Sequence, residues 1–535
     1  MSRSLARAAV PALIVLIVFV VCWPGLWGFW GRDDYFQLAM ARLIGTPWPL
    51  FTQDHFVAAP GTVFRPLGFF SFWLGAVLFD NSYPAHAAMS IALHAGVAVV
   101  VYLLLRRFEI SAPIAVLAAT LFALHPAAAG TALWWSARFD VLATGLGLLA
   151  VLAALAWRDG QHAGHLIGMG LAILAACLSK EIGVIAALAA GLVIVHAAFT
   201  GKASGRETVR ALLVVVASVL VFFLWRAAVL GTFGSGLLGE AELLATLKSG
   251  ARSWLVHAPG YLGYGPQLGP ALGIAMLVLP AVLLGLLVAA WRAGESAVAA
   301  PLLLIACALA LALTPALVQA PIVILNARPL SEEMSAVDAA MQSRLYYMSL
   351  TGIALLIAAL IGLVRHLRLR QAGMALTAIA VVVFGWQSHQ QAGRFAERSQ
   401  EIATVAQAAV TAVKQLELPQ RYCHIHFDGI EPPPEWGIFV SMDSIIKALH
   451  PRPRQIAHCY VHANYSTFYH LVRGRPEPPD LWPYIPVTKG DGTMARITLG
   501  RMSAVYLHRH RDFDFDGAEQ VIVLEWRDGR FQPGL

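Results

Sequence analysis

The sequence predicts a polytopic α-helical membrane protein that ends in a small α/β domain outside the membrane. Three observations predict it. The 535 residues are 58% hydrophobic and 13% charged, against the ~45–50% and ~25% typical of soluble domains, and the mean hydropathy is +0.66. The apolar residues gather in runs long enough to cross a bilayer, which takes ~17–25 residues. Beyond residue 390 these runs stop, and Pro-rich turns alternate with short β-rich stretches.

The spans follow in order. The run 8–27 comes after Arg3 and Arg7. It exceeds the ~7–15 residues of a signal-peptide core and no small-x-small cleavage site follows, so it reads as a retained first span. Further runs occupy residues 85–105, 112–131, 141–157, 164–178, 182–199, 209–230, 271–291, 297–318, 346–364 and 372–387. Together they make about eleven spans. The runs 164–178 and 182–199 are short and separated only by Ser179, Lys180 and Glu181, which suits tilted spans, or spans broken where they line a cavity. The stretch "PLGFFSFWLGAVLF" (66–79) is apolar but too short to span and reads as an interfacial helix.

Loop charge orients the spans. A cytoplasmic N-terminus places Arg106, Arg107, Arg158, Lys202, Arg206, Arg210, Arg292, Arg365, Arg368 and Arg370 on the inside, as the positive-inside bias requires. The loop 28–84, the turns 134–140 and 179–181, the loops 237–269 and 321–344, and everything after 387 then face the other compartment. This bias accounts for most of the net charge of +7, and no basic patch with interleaved aromatics is evident, so no nucleic-acid partner is indicated. No GxxxxGK[ST] loop, HExxH or CxxC pair occurs, which argues against an ATP-driven pump, a zincin and a redox or zinc module.

The chain divides into a membrane region, 1–390, and an extracytoplasmic α/β domain, 391–535. "RFAERSQEIATVAQAAVTAVKQL" (394–416) reads as an amphipathic helix, and "CHIHF", "WGIFVSM", "SAVYLH" and "QVIVLEW" as strands set between Pro-rich turns. Cys22, Cys177 and Cys307 lie in apolar runs as small buried hydrophobes. Cys423 and Cys459 lie in the outside domain, where a disulfide and two free thiols are both open.

Chemistry concentrates on the outer face. In "GFWGRDDYFQLAMARL" the carboxylates of Asp33 and Asp34 follow the first span and open a helical stretch. One reading is an N-cap complementing the helix dipole, worth ~1 kcal/mol. The other is a general base at the outer leaflet. The pair alone does not decide between them.

Five further segments, "FRPL" (64–67), "HAAMSIALHA" (86–95), "LHPAAAGTALWWSARFDVLAT" (124–144), "LSKE" (178–181) and "SRLYYMSL" (343–350), fall on the same expected face. In that order they resemble the GT-C membrane glycosyltransferases, and within them the protein O-mannosyltransferase-like branch. That branch includes the transmembrane and tetratricopeptide-repeat mannosyltransferases and their bacterial relatives. The resemblance covers roughly the first 350 residues; no repeat array follows and the C-terminal domain lies outside it. It implies inverting transfer of a sugar, mannose or another hexose, from a polyprenyl-phosphate donor to a hydroxyl of a protein or glycan acceptor on the outer face. Asp33 takes the place of the acidic residue that begins the family pair, and Asp34 that of its neighbour. Some relatives use a divalent cation, for which this sequence offers no clear ligand cluster.

Cations at the outer ends of spans fit such a donor, because charge at the membrane is costly and is kept for a partner. Arg138, Lys180 and Arg344 are the expected phosphate ligands. Their structural alternatives are ion pairs, Arg138 with Asp140 and Lys180 with Glu181, and for Arg344 an interfacial belt with Tyr346 and Tyr347. Arg65, His55, His125, Asp140, Glu181 and Tyr347 are candidates for the substrate pocket. Of these, His125 before Pro126 also suits a helix cap, and Arg65 also suits an anchor for the short interfacial helix. His86 and His94 share one helix face, suiting a cavity wall or a helix contact, and Trp134 and Trp135 read as belt residues. The competing functions are transfer to a lipid or surface polysaccharide, a transporter or flippase, and a sensor; charges crowded on one face instead of the midplane favour the enzyme.

Overall fold

The computed structural model describes residues 3–31, 33–54, 63–233, 285, 288, 292, 299–318, 343–364, 366–418, 423–428, 442–456, 459–463, 484–488, 494–498, 520–527 and 529–533. The chain forms two compact units.

The larger unit comprises Met1–Trp27, Phe64–Gly68 and Ala87–Phe395 and is built from long apolar helices. These are α1 (Arg3–Cys22), which runs into a 3-10 turn, most of α5 (Tyr83–Arg107), α6 (Ala112–Leu124), α7 (Pro126–Leu133), α8 (Arg138–Gly160), α9 (Ala163–Ser179), α10 (Val184–Phe199), α11 (Gly205–Leu230), α12 (Ala299–Val318), α13 (Tyr347–Leu363) and the start of α14 (Leu367–Lys414). The chain is a multi-pass membrane protein. Among the described residues six helices are long and apolar enough to cross a bilayer, seven if a bent pair counts as one span, with four shorter apolar helices beside them. Of the run 271–291 only residues 285 and 288 are among those described.

Two span expectations are corrected. The run 112–131 is not one straight helix: α6 and α7 meet at a bend of 54°. Pro126 has no amide hydrogen with which to continue the ladder, and His125 starts a new helix, its Nδ1 accepting the Ala127 amide at 3.2 Å. The run 372–387 and the amphipathic stretch 394–416 are parts of one continuous 48-residue helix, α14.

Small residues let these helices approach closely, as packing in lipid requires. A Cβ on Gly352 of α13 would come within 2.5 Å of backbone atoms of Ala308 and Ala312 on α12. Outward faces are as apolar as the core: Val209, Leu213, Val216, Leu220 and Leu224 of α11 are all exposed, at the three- and four-residue spacing of one helical stripe. α11 itself starts at a capping box, Ser204 with Glu207, and ends on Gly231 at φ +73°.

One contact positions the site. After α9 the chain turns through a 3-10 segment, Glu181–Gly183, and a Cβ on Gly183 would sit 2.3 Å from the Ala176 carbonyl carbon and 2.4 Å from the Cys177 nitrogen. Backbone cannot give way as a side chain can, so Gly183→Ala is expected to cost about 1–3 kcal/mol. A thermal melt of the purified variant checks this; an unchanged Tm contradicts it.

The second unit comprises Gly28–Val63, Phe69–His86 and Ala396–Leu535. It contains α2 (Asp33–Leu43), α3 (Pro49–Thr52), most of α4 (Pro66–Phe79), the end of α14, and α15 (Met442–Leu449). Its strands are β1 (Cys423–Asp428), β2 (Cys459–Ala463), β3 (Tyr484–Thr488), β4 (Met494–Thr498), β5 (Gln520–Arg527) and β6 (Arg530–Pro533). A four-stranded sheet has the order β2-β1-β5-β6, parallel except for the β5–β6 hairpin, and β3 pairs antiparallel with β4. Here "CHIHF" and "QVIVLEW" are strands as expected. "WGIFVSM" up to 441 and "SAVYLH" lie outside the described residues, and Met442 begins α15. Tyr484–Thr488 is strand, not turn: Pro486 sits in a two-stranded sheet, the edge position a proline tolerates.

The first loop and the tail share a core. Arg42, at the end of α2, donates from Nη1 to the carbonyls of Ala448 at 2.6 Å and His450 at 2.8 Å, and its Nη2 meets Asp80 at 2.7 Å. The last carbonyls of α15 lack partners within the helix, and a guanidinium satisfies them. Within α15, Lys447 and Asp443 form a buried pair at 2.7 Å, and Asp443 accepts the Val461 amide of β2 at 3.2 Å. Burial lowers the Lys447 ammonium from its ordinary value against the pull of Asp443. Cys459 is disulfide-bonded, Cys423 stands opposite it in strand register, and Cys22, Cys177 and Cys307 carry free thiols.

Candidate functional site

Charged side chains in the helical unit gather at the C-terminal ends of α9 and α11 and the N-terminal ends of α8, α10 and α13. Lys180 caps α9 in extended backbone, and its Nζ donates to Asp140 Oδ1 of α8 at 2.5 Å. Both groups are buried. Lys180 therefore pairs across the bundle, not with its neighbour Glu181, and Arg138 is not the partner that Asp140 takes.

Glu181 instead lies between two guanidiniums. Arg65 Nε and Nη2 donate to its Oε2 at 2.9 and 2.8 Å, and Arg226 Nη1 stands 3.5 Å from its Oε1. Arg65 also lies over the Phe139 ring, 5.4 Å from its centroid, so it belongs to this network as well as opening α4. Close packing holds it there, for a Cβ on Gly68 would overlap the Phe139 ring.

The remaining cations use aromatic partners. Arg344 stands over the Trp134 ring at 4.7 Å and Arg138 over Trp135 at 5.2 Å, Arg138 also donating to Ser90 Oγ at 3.1 Å. Both tryptophans are fully buried, so they are platforms for guanidiniums and not an interfacial belt. Arg65 and Arg344 are also the like charges that act on Lys180.

Tyr347 and His94 form a separate buried pair next to this network. His94 Nε2 lies 2.9 Å from the Ala123 carbonyl, which can only accept. In the neutral ring that places the proton on Nε2 and leaves Nδ1 to accept from Tyr347 Oη at 2.7 Å. His125 is a cap packed edge-on against Phe384.

Asp33 and Asp34 belong to the other unit, in the first turn of α2. Asp34 is fully buried, and its Oδ2 accepts the Gly31 amide at 3.1 Å. That is a capping bond at a helix start. Burial, and after it the Asp34 charge, holds the Tyr35 phenol well above its ordinary value. Asp33 is half-buried on the same turn. His86, in this unit, donates through Nε2 to the Asp80 carbonyl at 2.9 Å. His55 lies outside the described residues. Among the described residues no three His, Cys, Asp or Glu side chains come together to hold a metal.

Arg226 is the residue that sequence reasoning passed over. Its signal was visible: Arg226 in "VFFLWRAAVL" is the one charged residue between Arg210 and the end of the run at 230, and such a charge is costly in a membrane unless paired or functional.

No family model and no curated protein matches the chain. Among solved structures it is similar to ArnT from Cupriavidus metallidurans bound to undecaprenyl phosphate, at 14% identity over 88% of both chains with a TM-score of 0.45. It is similar also to the archaeal oligosaccharyltransferase AglB from Archaeoglobus fulgidus, in complex with an inhibitory peptide and a dolichol-phosphate, at 12% identity over 91% of this chain and 74% of that one, with a TM-score of 0.43. The apo state of ArnT matches over 94% of this chain and 99% of that one, at 14% identity and a TM-score of 0.41. Likeness at this level leaves the functional reading to the site itself.

Proposed function

We propose that the protein is an integral membrane glycosyltransferase of the GT-C kind, moving a hexose such as mannose from a polyprenyl-phosphate donor to an acceptor hydroxyl of a protein or glycan outside the cytoplasm. The observation that carries this reading is the network at one end of the helical unit, where Arg65, Arg226 and Lys180 are held by Glu181 and Asp140, with Arg344 among the charges acting on Lys180. Positioned cations of this kind stabilise the negative charge that develops on a leaving phosphate. They sit at the ends of membrane helices, where a lipid-linked phosphate would reside.

In the reaction, Asp33 takes the proton of the acceptor hydroxyl as its oxygen attacks the sugar C1. The bond from C1 to the phosphate oxygen breaks, and polyprenyl phosphate leaves with the electron pair. A single displacement of this kind inverts C1. Arg138, Lys180 and Arg344 hold the phosphate, Arg65 and Glu181 shape the cradle, and the C-terminal domain selects the acceptor. The protein lies in a bacterial inner membrane with that domain outside the cytoplasm.

Binding of the leaving group tests the cradle separately from turnover. Purified wild type is expected to retain undecaprenyl phosphate in preference to undecaprenol. Arg344→Gln is expected to weaken that retention by about tenfold or more, since a hydrogen bond to a charged group is worth about 1.5–3 kcal/mol. Equal retention of phosphate and alcohol, or an Arg344→Gln protein that binds as the wild type does, contradicts the reading.

A further inference from the structure

A second charged cluster lies at the other end of the same helices. α8 begins at Arg138 and carries Arg158 in its last turn; at 1.5 Å per residue the two are about 30 Å apart, the thickness of a hydrocarbon core. Around Arg158, the side chains of Arg106, Arg107, Glu109, Asp159 and Lys202 line a cavity of about 580 Å³. A neighbouring cavity of about 330 Å³ shares Arg107, Arg158 and Lys202 and adds the apolar Phe108 and Ala299.

Asp159 is the hub of this cluster, 2.7 Å from Arg107, 2.8 Å from Arg158 and 3.6 Å from Lys202. One carboxylate thus serves three cations. Arg106 lies on the rim and donates to the Ile110 carbonyl. The C-terminal carbonyls of α5, α8 and α10 end nearby and account for cations on the surface. They do not account for Arg158, which is only 9% exposed. Among the described residues its one partner is Asp159, bonded through Nε, and the two terminal amino groups of its guanidinium remain for a ligand. A guanidinium presents those donors in the geometry that matches phosphate oxygens. Leu103 and Phe199, one turn or less from the lining residues, are exposed and continue the cavity wall into the apolar surface of the spans.

We propose that this cavity binds the phosphate of an anionic lipid headgroup, in the leaflet opposite the Lys180 network. Arg107 and Lys202 draw the phosphate in and Arg158 takes two of its oxygens, while the acyl chains lie along the exposed apolar faces of α5 and α10. The proposal does not rest on the transferase reading: it uses residues at the other end of the bundle and a ligand that is not consumed.

The test compares lipid retention by native mass spectrometry on the full-length protein, with dioleoyl phosphatidic acid against dioleoyl phosphatidylcholine. The variants are Arg107→Gln/Lys202→Gln, whose side chains are about half exposed and whose fold is checked by an unchanged Tm, and Arg398→Gln, an exposed cation of the other unit. Wild type and Arg398→Gln are expected to prefer phosphatidic acid by about tenfold, and the double variant to lose most of that preference. If millimolar inorganic phosphate displaces the lipid, the phosphate alone supplies the recognition and the cavity is a phosphate site for soluble anions as well. Retention that ignores the headgroup, a double variant that matches wild type, or an Arg398→Gln protein that loses as much as the double variant overturns the proposal.

Discussion

An Asp33→Asn protein is expected to fold as the wild type does and to transfer sugar about 10²–10⁴-fold more slowly, the contribution of a positioned general base. The two adjacent carboxylates divide into different roles. Asp34 is fully buried and accepts the Gly31 amide where the chain enters α2, so its replacement by alanine, which removes the acceptor, is expected to cost about 1–3 kcal/mol of stability. Asp33 is half-buried in the same turn, and asparagine preserves its size and its helix-start preference while removing the basic oxygen. The measurement is initial rate beside Tm for both variants. A stable Asp33→Asn protein with wild-type rate would reduce Asp33 to a helix cap and move the base to Asp34.

The largest effect on stability is expected at Lys180. Removing one member of a buried ion pair leaves the other charged and unpaired, which costs about 3–5 kcal/mol, whereas replacing both with apolar residues of similar size is often nearly neutral. Lys180→Met should therefore lower Tm by several degrees, because Asp140 stays buried 2.5 Å from where the ammonium was. Lys180→Met/Asp140→Leu should recover most of that loss. Activity separates the roles: if Lys180 also touches the donor phosphate, the repaired double variant stays inactive. A double variant as active as wild type would make the pair a structural device only.

The membrane architecture was legible in the sequence because one physical requirement, an apolar run of sufficient length, decides it. What composition does not encode is where a run bends. Pro126 marks the break between α6 and α7, whereas the unbroken apolar length of 112–131 predicts a single helix. In the tail the short strands β2 and β4 passed unnoticed, and Pro486 disguised β3, since stretches of five residues carry little periodic signal. At the site the residue types were legible and their partners were not. Lys180 pairs with Asp140, forty positions away, in preference to the adjacent Glu181. Arg42 ties α2 to α15 across more than four hundred positions. Such pairings follow from helix packing, which a linear pattern does not specify. Trp134 and Trp135 show the same limit, since an interfacial tryptophan and a buried cation platform look alike in sequence.

The central claim is sugar transfer from a polyprenyl-phosphate donor, and turnover tests it most directly. Wild-type protein in nanodiscs is to be incubated with a panel of undecaprenyl-phosphate hexoses and an envelope extract as acceptor source, and free undecaprenyl phosphate measured over time. The account predicts release of the lipid phosphate with at least one donor, matched by sugar gained on the acceptor and slowed about 10²–10⁴-fold in Asp33→Asn. A well-folded protein that consumes no donor in the panel, or that moves the intact donor across the bilayer without cleaving it, would contradict it.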